Sequence, residues 1–151
     1  MQLTWPSNQQ RDNFLLATLE TTGRNVDLVY VESLSGCSAC TLDPITNTST
    51  NSFCVVCSGN YWIEHTMVSG VLSHITWKYL DKLDWVPGGQ FLNGDCQIKF
   101  PIFLSGIETV VDNLKSAIVD GRDMEPVKVD KRGSPEINRI LITLQERGKN
   151  E

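Results

Sequence analysis

Two short patterns in this 151-residue chain combine residue types and spacing suited to metal binding: Cys37-Ser38-Ala39-Cys40 and Cys54-Val55-Val56-Cys57, separated by thirteen residues. Two residues between paired cysteines let both thiolates face one ion, and the thirteen-residue excursion lets the second pair complete a tetrahedron. Ser58-Gly59 follows the second pair, so the backbone there is free to turn its N–H groups toward the sulfurs and spread their charge. The spacing predicts a structural zinc site with Cys37, Cys40, Cys54 and Cys57 as ligands, since four thiolates leave no open position for a substrate. An iron–sulfur cluster uses the same four ligands and is the second reading, because spacing alone does not separate the two. Two disulfides require an oxidising compartment. A redox Cys-x-x-Cys normally opens a helix, and neither pair here is followed by a helical pattern.

The remaining reactive side chains are few. Cys96 could be combined with His65 or His74 into a nucleophilic pair, but it opens an alternating apolar run after a turn, the usual setting of a small buried side chain. His65, eight residues beyond Cys57, could replace a thiolate, although four cysteines already complete the set. The sequence contains no Gly-x-Ser-x-Gly elbow, phosphate-binding loop, dinucleotide fingerprint or His-Glu-x-x-His helix. Its carboxylates form no pair suited to acid–base work, so the chain does not read as an enzyme.

The elements that must position the cysteines follow from periodicity. Ser7 and Gln10 form a capping box beside Pro6, and Phe14, Leu15 and Leu19 lie at helical spacing before Gly23, which predicts a helix over 7–22 ending at a C′ glycine. From Arg24 the period becomes two: Val26, Leu28 and Tyr30 alternate with Asn25, Asp27 and Val29 in a strand leading into the cysteines. Residues 33–62 are rich in Ser, Thr and Asn, and the tract from Thr46 to Ser52 carries no aliphatic or aromatic side chain, so it is either loose or fastened by something other than a core. Met67 to Lys78 then reads as a strand with Met67, Val71, Ile75 and Trp77 on one face, followed by turn signals at Pro87-Gly88-Gly89 and Asn93-Gly94.

Further along, Ile98, Phe100 and Ile102 alternate, with Pro101 marking an edge or strand end, and Ile107 to Leu114 has helical spacing. Asp120-Gly121 between two apolar triplets, 117–119 and 127–129, predicts a hairpin with a loop somewhat longer than two residues. After Gly133-Ser134-Pro135, Ile140, Ile142 and Leu144 form the last strand. Closely spaced strands joined by turns predict one mainly β domain over 1–151: a small antiparallel β-barrel or sandwich with a short N-terminal helix and a four-cysteine, zinc-ribbon-like insertion at 33–62.

Charge narrows the partners. Thirteen Lys and Arg against eighteen Asp and Glu give a net charge of −5, which argues against an extended phosphate-neutralising surface. Between Ser33 and Trp62 there is no Lys or Arg, and Asp43 is the one charged side chain, so the insertion lacks the means to grip nucleic acid and reads as protein-facing. Phe53, Tyr61 and Trp62 flank the second cysteine pair and either pack the insertion onto the domain or form an interface. Lys128, Lys131, Arg132 and Arg139 cluster, but seven acidic residues offset seven basic ones over 119–151, which predicts a balanced rim. No apolar run approaches the ~20 residues of a membrane span, and the N-terminus lacks a basic segment followed by an apolar one, so the expectation is a soluble protein in a reducing compartment.

The order of features carries a resemblance: a short helix, Gly23-Arg24-Asn25-Val26-Asp27-Leu28, a Cys-x-x-Cys-x-x-Asp-Pro-x-Thr segment, then Cys-x-x-Cys-x-Gly with an aromatic pair, and more weakly 118–144 with its Val-Asp-Gly and Gly-Ser-Pro turns. Over about half the chain it resembles neck proteins of tailed bacteriophages, particularly the head-closure or stopper class of head–tail connector. The resemblance implies a non-enzymatic structural protein of the virion, made in the host bacterial cytoplasm. It implies a homo-oligomeric ring, a hexamer in the expectation, between a portal-proximal adaptor and the tail proteins, with packaged DNA passing through unbound and no membrane contact. The mild acidity suits such a channel. The loop from Asp81 to Asn93 is then expected to reach the lumen or a neighbouring subunit. Alternative readings are a tail-terminator or baseplate component, and a cellular zinc-ribbon adaptor that binds another protein as a monomer.

Overall fold

A computed structural model describes residues 6–77, 95–133 and 136–147. In chain order the elements are α1 (Asn8–Thr22), β1 (Arg24–Gly36), β2 (Leu42–Asp43), β3 (Thr48–Ser49), β4 (Trp62–Trp77), β5 (Cys96–Pro101), α2 (Ile107–Asp112), β6 (Leu114–Val119), β7 (Arg122–Arg132) and β8 (Arg139–Glu146). Six of the strands close an antiparallel barrel in the order β1-β4-β5-β8-β7-β6, with β6 returning to pair with β1. Within the barrel, closure removes the open edges that a flat sheet would carry. The expected mainly β fold is therefore a barrel rather than a sandwich. The Asp81–Asn93 loop lies outside the described residues.

Alternation builds the core. Val26 and Leu28 of β1, Ile98 and Phe100 of β5, and Ile140, Ile142 and Leu144 of β8 all point inward and are 2% exposed or less. Cys96 belongs to the same core and is wholly buried, as a small apolar side chain opening β5 should be. α2 adds Ile107, Val110 and Val111 to this core, and Pro101 ends β5.

Three local expectations are sharpened or corrected. Ser7 caps α1 through the predicted capping box with Gln10, but the apolar stripe is narrower than the spacing implied: Leu19 is buried, while Phe14 is 68% exposed because it lies off the face that meets the barrel. Gly23 ends the helix in an extended conformation rather than a left-handed one. A glycine suits the site because a Cβ would lie 2.4 Å from the Leu19 carbonyl oxygen. The hairpin at Asp120-Gly121 has a loop of two residues, not more: both have positive φ (51° and 78°) and Val119 pairs directly with Arg122. That geometry matches the right-handed twist of the flanking strands. β7 accordingly begins five residues before Val127, through polar positions and Pro126, with a bulge between Pro126 and Lys128.

What positions the cysteines is the length of β1 and β4. Their pairing continues past the barrel, from Arg24↔Ser73 through a bulge between Val31 and Ser33 to Gly36↔Trp62. β6 leaves β1 at Tyr30 and β5 meets β4 only over His74–Trp77, so the outer part of this hairpin is a two-stranded arm among the described residues. Leu34 and Trp62 on it are exposed. The excursion bearing the cysteines thus spans 37–61, between strand arms that occupy both ends of the 33–62 segment.

Candidate metal centre

Cys37 follows the last residue of β1, and its N–H donates to the Tyr61 carbonyl oxygen (2.8 Å), closing the end of the arm. Between the two cysteine pairs the chain makes a miniature hairpin, β2 with β3, in the register Leu42↔Ser49 and Asp43↔Thr48. Hydroxyl and carboxylate groups organise this polar tract. Asp43 accepts from the Ile45 N–H and the Thr46 hydroxyl (both 2.9 Å), which holds its carboxyl below the usual carboxylate range. Thr41 and Thr50 share a 2.8 Å hydrogen bond across the base. The tract is fastened.

The second pair is held by a tight turn. The Cys54 N–H donates to the Asn51 carbonyl, the Ser58 N–H to the Cys54 carbonyl and the Asn60 N–H to the Cys57 carbonyl. Ser58, Gly59 and Tyr61 all adopt positive φ, at 51°, 86° and 68°. A Cβ on Gly59 would stand 2.8 Å from the Ser52 carbonyl oxygen, so glycine is required there by both conformation and space. Left-handed backbone is costly for Ser and Tyr. It turns the N–H groups of Gly59 and Tyr61 onto the Cys57 sulfur, the arrangement that Ser58-Gly59 suggested.

The four sulfurs converge. All lie within 4.8 Å of one another, with Cys37 and Cys54 Sγ 3.8 Å apart and Cys40 and Cys57 Sγ 3.5 Å apart, and all four thiols are free. A tetrahedral ion with ~2.3 Å bonds to sulfur separates its ligands by about 3.8 Å. The set could therefore hold a metal ion. Cys37, Cys54 and Cys57 are buried and Cys40 is half-buried; Tyr61 and Ile63 pack against them, and the Tyr61 side chain lies over Gly36, where a Cβ would stand 2.8 Å from its hydroxyl oxygen.

Electrostatics point the same way. At Cys57 burial opposes ionisation, but the Tyr61 N–H, the Cys40 and Cys54 thiols and the Gly59 N–H outweigh it and bring the thiol down to about 6. At Cys40 the Ser49 hydroxyl favours the thiolate, yet burial and the three neighbouring thiols together push it up to about 12. Four thiols this close cannot all ionise in each other's field, and a cation among them relieves that conflict. The Ala39 N–H also donates to the Cys37 sulfur (3.4 Å).

The other residues singled out in the sequence lie apart. His65 is on the arm, its Nε2 2.7 Å from the Ser35 hydroxyl, and is not among the four clustered ligands. His74 meets the Thr22 hydroxyl through Nδ1 at 3.1 Å, while Cys96 is inside the barrel. Of the three aromatics, Tyr61 packs under the sulfurs and meets Trp62 edge to face at 5.2 Å, whereas Phe53 is 92% exposed. Three of the four clustered basic residues are paired: Lys128 and Arg132 with Asp130, and Lys131 with Glu108. Spacing gave no sign of Ser49, whose buried hydroxyl supports Cys40, nor of the left-handed Tyr61; only the run of small and polar residues around Gly59 hinted at an unusual turn. No described helix is long and apolar enough to cross a membrane. No protein-family model, curated protein or solved structure significantly matches this chain.

Proposed function

We propose that this chain is a structural assembly protein whose cysteine module holds one zinc ion, and that it serves in the neck of a tailed bacteriophage as a head-closure component. Zinc is supported by the chemistry of the donor set: four thiolates at the separations of a single tetrahedral ion, with N–H groups aimed at the sulfurs. A multinuclear iron–sulfur cluster shares its cysteines among different irons and would hold them farther apart.

The observation that carries the assembly role is the placement of the module. It stands at the end of a two-stranded arm beyond a closed barrel, and it presents Ile45, Phe53 and Val55, each at least 92% exposed. A module whose purpose was to stabilise its own domain would lie against that domain. One projected on an arm and faced with apolar side chains is suited to a partner protein. Its lack of basic residues supports a protein partner over DNA.

The test is immunogold labelling and cryo-electron microscopy of phage particles that encode the chain, with a null mutant beside them. Labelling at the head–tail junction, and heads that lose DNA and fail to join tails in the mutant, are expected. Label at the tail tip or along the tail would move the protein to a baseplate or tail-terminator role, and unlabelled virions would replace the virion reading with that of a cellular adaptor.

A further inference from the structure

The four thiols of the cysteine module differ in their access to water. Cys37, Cys54 and Cys57 are buried, whereas Cys40 is half-buried and stands between the exposed residues Ala39 and Thr41. A small oxidant carried in water therefore meets Cys40 first. The fifth cysteine, Cys96, is wholly enclosed in the barrel core and takes no part.

The sulfurs also face one another across the two motifs. Cys40 Sγ lies 3.5 Å from Cys57 Sγ, and Cys37 Sγ lies 3.8 Å from Cys54 Sγ, so each contact joins one Cys-x-x-Cys segment to the other. A disulfide bond is about 2 Å long, and closing the first contact takes a movement of about 1.5 Å. Hydrogen bonds that do not involve sulfur keep the motifs at this approach: the Cys37 N–H on the Tyr61 carbonyl, the Cys54 N–H on the Asn51 carbonyl and the Thr41–Thr50 hydroxyl pair.

We propose that Cys40 is an oxidation site for small hydroperoxides, and that its oxidation ends in a Cys40–Cys57 disulfide that releases the ion. The proposal rests on the zinc reading above and concerns the regulation of that site. The Cys40 thiolate attacks one oxygen of hydrogen peroxide and the O–O bond breaks; Cys40 becomes a sulfenic acid, and the other oxygen takes up protons and leaves as water. The Cys57 thiolate then attacks Cys40 Sγ, the S–O bond breaks, and the second oxygen leaves as water. Two thiolates have lost two electrons and the peroxide has gained them. Cys37 and Cys54 alone cannot fill a tetrahedral site, so the ion leaves. One covalent tie then replaces four bonds to a metal, and the module loosens. Phe53 and Val55, which flank the ligand Cys54 and face water, lose their fixed presentation, so oxidation acts on the surface offered to a partner. Cys37 and Cys54, both buried, react later.

The test is a titration of the zinc-loaded full chain with hydrogen peroxide, read as zinc released to a chromogenic chelator, thiols remaining, and disulfides mapped by non-reducing peptide mass spectrometry. Loss of one zinc together with two thiols is expected, with Cys40 joined to Cys57, Cys96 unmodified and faster amide exchange over 37–61. Reductant with added zinc should restore the starting state. Pulse alkylation before oxidation should label Cys40 about tenfold faster than the other three ligands. A first disulfide within a motif, first labelling at a buried cysteine, or zinc retained under excess peroxide would overturn the proposal. Zinc content is measured before peroxide is added: a chain that holds none refutes the zinc reading and this proposal with it, whereas a chain that holds one zinc and forms a different first disulfide refutes this proposal alone.

Discussion

In the barrel, side chains such as Leu28, Ile98, Phe100 and Ile142 are almost wholly withdrawn from water. In the cysteine module, Ile45, Phe53 and Val55 face water, and the most buried side chains are those of cysteine. The barrel is cross-linked by ladder hydrogen bonds over six strands, while the module has two strands of two residues each and a set of hydroxyl and turn bonds. A segment with so little apolar burial cannot offset the ~1–2 kcal/mol per residue of backbone ordering by packing. A metal ion held by the four cysteines would matter least in the domain that has a core and most in the projection whose apolar side chains face water.

Removing the ion should separate the two regions most strongly. Binding in small four-ligand zinc modules amounts to on the order of 10 kcal/mol of folding free energy, so chelation, or Cys57→Ser, should strip amide-exchange protection from residues 37–61 while barrel amides in β5 and β8 stay protected. Next in size is the converse. Phe100→Ala in the barrel should lower global stability by about 3–5 kcal/mol in denaturant unfolding without changing metal stoichiometry.

Gly59→Ala probes the join between backbone and site. Its φ of 86° and the Ser52 carbonyl 2.8 Å from a new Cβ should cost about 1–2 kcal/mol, read as weaker metal retention in a chelator competition with an unchanged barrel. The smallest effect belongs to Asp43. Its carboxyl is held below its ordinary value by the Ile45 N–H and the Thr46 hydroxyl, so the support it gives the β2–β3 turn is present above the ordinary carboxylate range and is lost as pH falls through the lowered value. Asp43→Ala should speed amide exchange at Ile45 and Thr46 and leave the melting temperature nearly unchanged.

The same contrast explains what could be read from residues alone. β8 was legible because Ile140, Ile142 and Leu144 alternate against a core, and α1 because its capping box is a local chemical pattern. The start of β7 was not legible: before Pro126 only Met124 is buried, so the strand is defined by its partners on β6 and β8 and not by its own period. The arm was hidden for a related reason, since residues such as Ser33, Leu34, Glu64 and Thr66 are exposed on both of its faces and leave no alternation. The four cysteines were legible because thiolate geometry imposes spacing on sequence. Ser49 and Tyr61 were not, because a supporting hydroxyl and a left-handed tyrosine depend on a tertiary turn that no short spacing encodes.

We propose that one metal ion bound by Cys37, Cys40, Cys54 and Cys57 orders the projecting module. Native mass spectrometry with elemental analysis of the purified full chain tests it most directly, with Cys37→Ser as the comparison. One zinc per wild-type chain is expected, with its loss or sharp depletion in the variant. A folded, protected module carrying no metal would contradict it.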